Sequence, residues 1–260
     1  MQGNALDITT EHRHLDGVVK PTLIICGVFA VIGIGGSLLF ARNAEGGMGY
    51  LFETYLVSFA FFLSISLGAL FFVLLQHCTR AGWSVVVRRV AEALAGNVWL
   101  MAVLAIPVVL GMDHIYHWTD TAAAAHDPLL AGKVGFLNSG FFITRLVIYF
   151  VIWGVMASFL HRTSVAQDSS GDPALTLRME RLSAPGMVLF ALSLNFAAFD
   201  LLMSVDAHWF STIFGVYYFA ASVVAFLAVM PKILYGLQMR GILKNAVTVE
   251  HYHDFGKLLF

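Results

Sequence analysis

The stretch GYLFETYLVSFAFFLSISLGALFFVLL, Gly49 to Leu75, decides the fold of this chain. It holds one charged residue, Glu53, in 27 positions, and its apolar residues do not alternate with polar ones as they would in an amphipathic strand. At a rise of about 1.5 Å per residue, a helix of this length crosses the roughly 30 Å hydrocarbon core of a bilayer. The stretch therefore predicts a transmembrane α-helix.

Five further apolar windows resemble this one in length and character. Because a backbone in lipid must satisfy its own hydrogen bonds, and because strand-type alternation is absent, the windows predict an α-helical bundle rather than a barrel. We expect an all-α integral membrane protein with a single transmembrane domain over residues 1–260. The six predicted helices cover residues 21–40, 49–75, 91–111, 139–160, 185–205 and 209–230.

The amino-acid composition predicts the same lipid environment. Hydrophobic residues make up 59% of the chain and charged residues 12%, and the mean hydropathy is +0.80. The 15 basic and 16 acidic residues form no basic patch, so no nucleic-acid partner is expected. Cys26 and Cys78 belong to no CxxC motif and have no histidine at ligand spacing, which predicts neither a disulfide nor a metal site.

Basic residues are distributed unequally between the two ends of the predicted bundle. One end holds only Arg42 and Lys133, and by the positive-inside rule the richer end faces the cytoplasm. Both termini are then cytoplasmic, including segments 1–20 and 231–260. The basic residues of the richer end include Arg13, Lys20, Arg80, Arg88, Arg89, Arg162, Arg178, Arg181, Lys232, Arg240 and Lys244.

The N-terminal segment does not fit a secretory leader. It is polar and contains Asp7, Glu11 and Asp16, whereas a leader begins with a short basic region. The first apolar run is therefore expected to remain as a transmembrane helix.

Three charged residues lie within the outer third of the predicted helices. Helical rise places Glu53 and Asp200 about one turn below the outer surface and Arg145 about two turns below it. An unpaired charge in hydrocarbon is costly, so one interpretation pairs Arg145 with Asp200. The other is a proton route or the wall of a quinone pocket, because Ser193 and Ser204 share a helix face with Asp200.

Titratable side chains crowd the outer ends of predicted helices 3, 5 and 6. Groups that titrate near neutral pH could receive protons there and release them to water, although surface histidines are commonly only hydrated. These candidates for the mouth of a proton route are Asp113, His114, His117, Asp206 and His208.

A second polar cluster is predicted at the inner surface. Arg88 and Glu92 are four residues apart and can pair along one helix face, and such basic collars anchor a protein at the headgroup region. Membrane topology accounts for most of this cluster, and a functional role is the alternative. Its members are Gln76, His77, Arg88, Glu92 and His161, with Arg89 beside them.

The sequence predicts no redox cofactor or catalytic residue in this chain itself. A haem that crosses a bundle needs facing histidine ligands, and His77 with His161 at the inner rim is the only pair to consider. Nucleophile elbows and zinc spacings are absent from the sequence. The string GIGG, Gly33 to Gly36, lies in helix 1, where small residues allow close helix packing.

Three strings resemble one family of membrane proteins. They are LQHCTRAGWSVVVRRVAEALAGN (Leu75 to Asn97), LNSGFFITRLVIYFVIWG (Leu137 to Gly154) and SVDAHWFSTIFGVYYFAAS (Ser204 to Ser222). Together they resemble the NrfD-like membrane subunits of bacterial alternative complex III, most closely its F subunit, often labelled a quinone-binding subunit. The resemblance extends over nearly the whole chain.

This resemblance implies a respiratory function. Alternative complex III is a quinol:acceptor oxidoreductase, in which iron–sulfur and haem c subunits pass electrons from quinol to cytochrome c or to an oxidase. The chain would be a subunit without a redox cofactor in the bacterial inner membrane, and it would translocate protons or bind menaquinone or another quinone. Its partners would be a sister NrfD-like subunit, the iron–sulfur and cytochrome c subunits, and a terminal oxidase.

The family's members continue beyond the segment that resembles HYHDFGKLLF, His251 to Phe260, to about ten helices. We therefore expect this chain to be truncated, with one four-helix bundle and the first helix of a second. Three alternatives remain: a stand-alone secondary transporter or proton channel, a haem-bearing cytochrome b, and a structural scaffold. A transporter should show helices broken at the midplane.

Overall fold

The computed structural model describes residues 15–43, 46–120, 122 and 126–260. Asp7, Glu11 and Arg13 lie outside the described residues. The described ranges are helical with short connections and contain no β-strand. Six of the helical segments are long and apolar enough to cross a membrane, which confirms the predicted all-α transmembrane class.

The helices are numbered in chain order, and two short 3₁₀ turns lie between them, His117–Thr119 and Met203–Val205. The α-helices are α1 (Asp16–Asn43), α2 (Gly47–Cys78), α3 (Val85–Gly96), α4 (Val98–Leu104), α5 (Ile106–Leu110), α6 (Met112–Ile115), α7 (Pro128–Ala131), α8 (Ser139–Ser170), α9 (Pro173–Leu201), α10 (Phe214–Gln238) and α11 (Val249–Leu259).

The helices α8 and α9 are longer than the predicted ranges 139–160 and 185–205 at the end where they meet. A hydropathy window measures only the lipid-facing part of a helix, whereas capping residues determine where the helix ends. Gly171, at φ 64°, ends α8 in the left-handed conformation. The side chain of Asp172 then accepts a hydrogen bond from the Ala174 N–H and caps α9.

The third and sixth spans also differ from their predicted ranges. The third begins at Val85 rather than residue 91 and is divided into α3, α4 and α5 at Asn97 and Ala105. Both dividing residues keep right-handed helical dihedrals, so the breaks are local irregularities. The sixth begins at Phe214 rather than residue 209, because Asp206 accepts hydrogen bonds from the backbone of residues 208 and 209 and holds a turn there.

The described chain divides into two compact units. In the unit Phe52–Phe226, the core forms where α8 packs against α9, α3 and α4, with Trp153 and Phe142 fully buried. Gly68 of α2 permits close approach in the same unit, because a Cβ there would meet the Ser222 carbonyl.

The other unit comprises the described residues within 1–51 and 227–260. Most side chains of α1 are exposed. The end of α10 is fixed to α11 by the Tyr252 hydroxyl, which donates to Gln238 Oε1 at 2.6 Å. Gln238 Nε2 also donates to the Val247 carbonyl at 2.7 Å, and Phe255 is fully buried.

Candidate functional site

A buried ion pair joins α8 to α9. The Nε and Nη2 atoms of Arg145 donate to the two carboxylate oxygens of Asp200, both at 2.8 Å. Tyr149, one turn after Arg145, donates its hydroxyl to the same carboxylate at 2.7 Å. Asp200 is 1% exposed and Arg145 7%, so the predicted pairing is confirmed.

Aromatic rings and backbone carbonyls surround this ion pair. Arg145 Nη1 donates to the Phe136 carbonyl at 2.9 Å, and its guanidinium lies 3.8 Å from the Phe136 ring centroid and 4.3 Å from that of Phe141. Tyr116 donates to the Leu201 carbonyl at 3.0 Å. Burial raises the pKa of Tyr116, and the negative charge of Asp200 raises it further. The pair is therefore well bonded within a largely apolar shell.

The predicted polar stripe continues from α9 into the following 3₁₀ turn, and Ser193, Asp200 and Ser204 are all buried. Ser193 Oγ accepts from Trp153 Nε1 at 2.8 Å and donates to the Leu189 carbonyl at 2.7 Å. Ser204 Oγ donates to the backbone carbonyl of Asp200 at 2.5 Å. Both hydroxyls donate to backbone carbonyls four residues earlier, the Trp153 contact crosses from α8 to α9, and neither hydroxyl bonds to the Asp200 carboxylate.

The other candidate residues of the outer cluster make separate contacts. Glu53 is exposed, and no ion pair joins it to another described residue. His114 is exposed and stacks on Phe52, with 5.5 Å between the ring centroids. The structure therefore brings Arg145 and Asp200 together, without placing Glu53 or His114 in contact with them.

His208 pairs with Asp127 rather than with a group inside the bundle. Its Nε2 lies 2.5 Å from Asp127 Oδ2. This hydrogen bond, helped by backbone N–H donors at the start of α7, holds the pKa of Asp127 below its ordinary value. Asp206 is exposed and its carboxylate accepts from the His208 N–H at 3.0 Å.

Three members of the predicted inner cluster, Arg88, Arg89 and His161, lie beside the buried carboxylate of Glu92, and the predicted cluster is called the Glu92 cluster below. The Glu92 side chain is 1% exposed. Its carboxylate oxygens lie 3.5 Å from Arg88 Nε, 3.3 Å from Arg89 Nε and 3.7 Å from His161 Nδ1. His77 is buried at the end of α2, within electrostatic range of Arg88. The Glu92 cluster consists of Gln76, His77, Arg88, Arg89, Glu92 and His161.

Several buried polar atoms of the Glu92 cluster have no hydrogen-bond partner among the described residues. They include both oxygens of Glu92, His77 Nε2 and His161 Nδ1, and Gln76 Oε1 is also unpaired. Buried polar groups in proteins are nearly always bonded, so each unpaired group calls for an explanation. The contrast with Asp200 is direct, because both of its oxygens accept hydrogen bonds.

Ion pairs connect the Glu92 cluster to solvent. Arg89 Nη2 donates to Ser164 at 3.0 Å and to Asp168 at 2.8 Å, and the Asp168 side chain is 66% exposed. Arg80 pairs with Glu180 at 3.0 Å and so joins the end of α2 to α9. The buried Glu92 carboxylate is thus one contact away from water, because the Arg89 and His161 side chains beside it are partly exposed.

No family model matches this chain, and no curated protein does. The resemblance to NrfD-like subunits therefore stays a prediction that rests on the three strings. Within the ranges that the structure describes, no group of three or more His, Cys, Asp or Glu side chains could hold a metal ion.

Sequence reasoning missed several partners of the candidate residues. Tyr149 could have been found, because it lies four residues after Arg145 on the same helix face. Asp127 is 81 positions from His208, and Asp168 is 79 positions from Arg89, so no local pattern indicates either pair.

Proposed function

We propose that this chain is the proton-conducting membrane subunit of a quinol-oxidising respiratory complex. The observation that supports the proposal is the buried Glu92 carboxylate, which lies beside two arginines and a histidine within a membrane-spanning segment. Ionisable residues at such positions are rare, costly and commonly part of proton pathways. The resemblance to alternative complex III supplies the kind of complex: a bacterial inner-membrane assembly that contains a sister NrfD-like subunit, iron–sulfur and cytochrome c subunits, and a quinone such as menaquinone.

The two polar clusters would have different roles. Oxidation of a quinol releases two protons with two electrons, and those protons need acceptors whose protonation can change. Glu92 and His161 are suited to this exchange, because nearby basic groups stabilise the carboxylate while its oxygens remain able to bond water. Asp200 already accepts three hydrogen bonds from charged or phenolic donors, which favours a fixed counter-charge over a relay.

A transporter is the second candidate. The expected mark of a transporter is a helix unwound at the midplane, and the divisions of the third span at Asn97 and Ala105 match it only weakly because both residues keep helical dihedrals. A transporter should move its substrate when it is reconstituted alone, whereas the proposed subunit should depend on partners.

Purification of the tagged protein from its own membranes should bring haem c and iron–sulfur polypeptides with it. The separated chain should show no stoichiometric haem absorbance, because the sequence places no histidine deep within a predicted transmembrane helix. Mass spectrometry of the purified sample identifies the polypeptides, and an absorbance spectrum detects haem. Recovery of the chain alone, or a haem band in the separated chain, would rule out this proposal.

The proposed orientation places both termini in the cytoplasm. In a Cys26→Ser/Cys78→Ser background, Ala131→Cys should react with a membrane-impermeant maleimide from outside. Ala166→Cys should react only after the membrane is permeabilised, and both positions are exposed. The opposite labelling pattern would show that the orientation is reversed.

A further inference from the structure

A groove lies between α4, α8 and α9, on a different side of α8 from the buried ion pair. Its volume is about 450 Å³. The lining residues that matter are Trp99, Val155, Ser158, Phe159, Arg162 and Arg178.

Two arginines at the rim of this groove carry uncompensated charge. Arg162 and Arg178 are exposed, and no described carboxylate lies within ion-pair distance of either. The arginines of the neighbouring Glu92 cluster differ, since Arg88 and Arg89 both pair with Glu92. The Arg178 guanidinium instead lies 5.4 Å from the Phe159 ring centroid.

The groove changes from charged to apolar along α8. Arg162 and Val155 are seven residues apart, which is about 10 Å along a helix. Val155 is 57% exposed, and Trp99, fixed by a 2.9 Å hydrogen bond from Nε1 to Ser158 Oγ, forms the opposite wall. A ligand that fits this gradient carries an anionic group at one end and a hydrocarbon chain at the other.

We propose that the groove binds an anionic phospholipid. The phosphate contacts Arg162 and Arg178, and one acyl chain lies along Phe159, Val155 and Trp99. Basic pockets between transmembrane helices recognise anionic headgroups in this way. A zwitterionic lipid would add an ammonium group beside two arginines, and a free phosphate would leave the apolar wall unused. The site is independent of the proposed proton pathway.

Native mass spectrometry of the purified protein, with any copurifying partners, can count bound lipids during a titration with phosphatidylglycerol. Each basic residue near an anionic headgroup strengthens binding about fivefold, so Arg162→Gln/Arg178→Gln should weaken the first binding event about 25-fold. Arg181→Gln is the matched control, because Arg181 is exposed on α9 but does not line the groove. The affinity of the Arg181→Gln variant for phosphatidylglycerol should stay within about twofold of that of the parent protein.

Further variants and ligands separate the alternatives. Arg162→Lys/Arg178→Lys keeps both charges and should retain most of the affinity for phosphatidylglycerol. Each single glutamine variant should lose about fivefold in affinity, and these variants replace the double variant if it does not fold. Equal binding of phosphatidylcholine and phosphatidylglycerol would overturn the proposal. So would full affinity in the folded double glutamine variant, or displacement of the lipid by millimolar inorganic phosphate.

Discussion

Replacement of Arg145 by methionine should lower the free energy of unfolding by about 3–5 kcal/mol, because it leaves the Asp200 charge buried without its partner. The guanidinium supplies two 2.8 Å hydrogen bonds to Asp200, and Tyr149 alone cannot replace them. Thermal unfolding in detergent and the amount of protein in membranes both measure this loss. Arg181→Met is the matched control, since Arg181 lies on α9, the other helix of the pair, but is exposed, and it should cost less than about 0.5 kcal/mol.

A double variant distinguishes a structural ion pair from independent effects. Arg145→Met/Asp200→Asn removes both charges, so it should be more stable than Arg145→Met alone. If the double variant loses the sum of the unfolding free energies that the two single variants lose, or if Arg145→Met has normal stability, the pair does not hold α8 to α9.

The second large effect is expected at Glu92. Glu92→Gln keeps the size of the side chain but removes the group that binds and releases a proton, so quinol oxidation by the assembled complex should fall on the order of 100-fold. Arg89 keeps its bonds to Ser164 and Asp168 whereas Arg88 loses its carboxylate partner, so turnover is expressed per amount of assembled complex. Blue-native electrophoresis measures assembly, and quinol:acceptor turnover measures activity.

Glu180→Gln is the matched control for Glu92→Gln. Glu180 is an acid at the same end of the bundle; its side chain is 15% exposed, and it pairs with Arg80, whose side chain is 74% exposed. A pair with one solvent-exposed partner contributes about 1 kcal/mol, so the variant should assemble and turn over quinol normally. Equal loss of turnover in both variants would indicate a general disturbance of this end rather than proton transfer at Glu92.

The sequence predicts the helical class and the Arg145–Asp200 contact because both depend on local quantities. Hydropathy over a window of about 20 residues marks each span, and helical rise places the two charges at similar depth. The predicted helix ends are less accurate, since Gly171 ends α8 and Asp172 caps α9 beyond the apolar windows.

The convergence of the Glu92 cluster could not be derived in the same way. Arg88 and Glu92 share a helix turn, but the approach of His161 depends on how α3 packs against α8. The sequence also gives no measure of hydrogen-bond satisfaction, which is the property that distinguishes Glu92 from Asp200 in the structure.

The most direct test of the proposed function is the rate of proton release during quinol oxidation, measured in membrane vesicles and divided by the amount of assembled complex. Glu92→Gln and Asp200→Asn should be compared side by side. The proposal predicts a rate near that of the parent protein for Asp200→Asn and a rate on the order of 100-fold lower for Glu92→Gln. A normal rate in Glu92→Gln together with loss in Asp200→Asn would contradict it and would place the proton pathway at the ion pair.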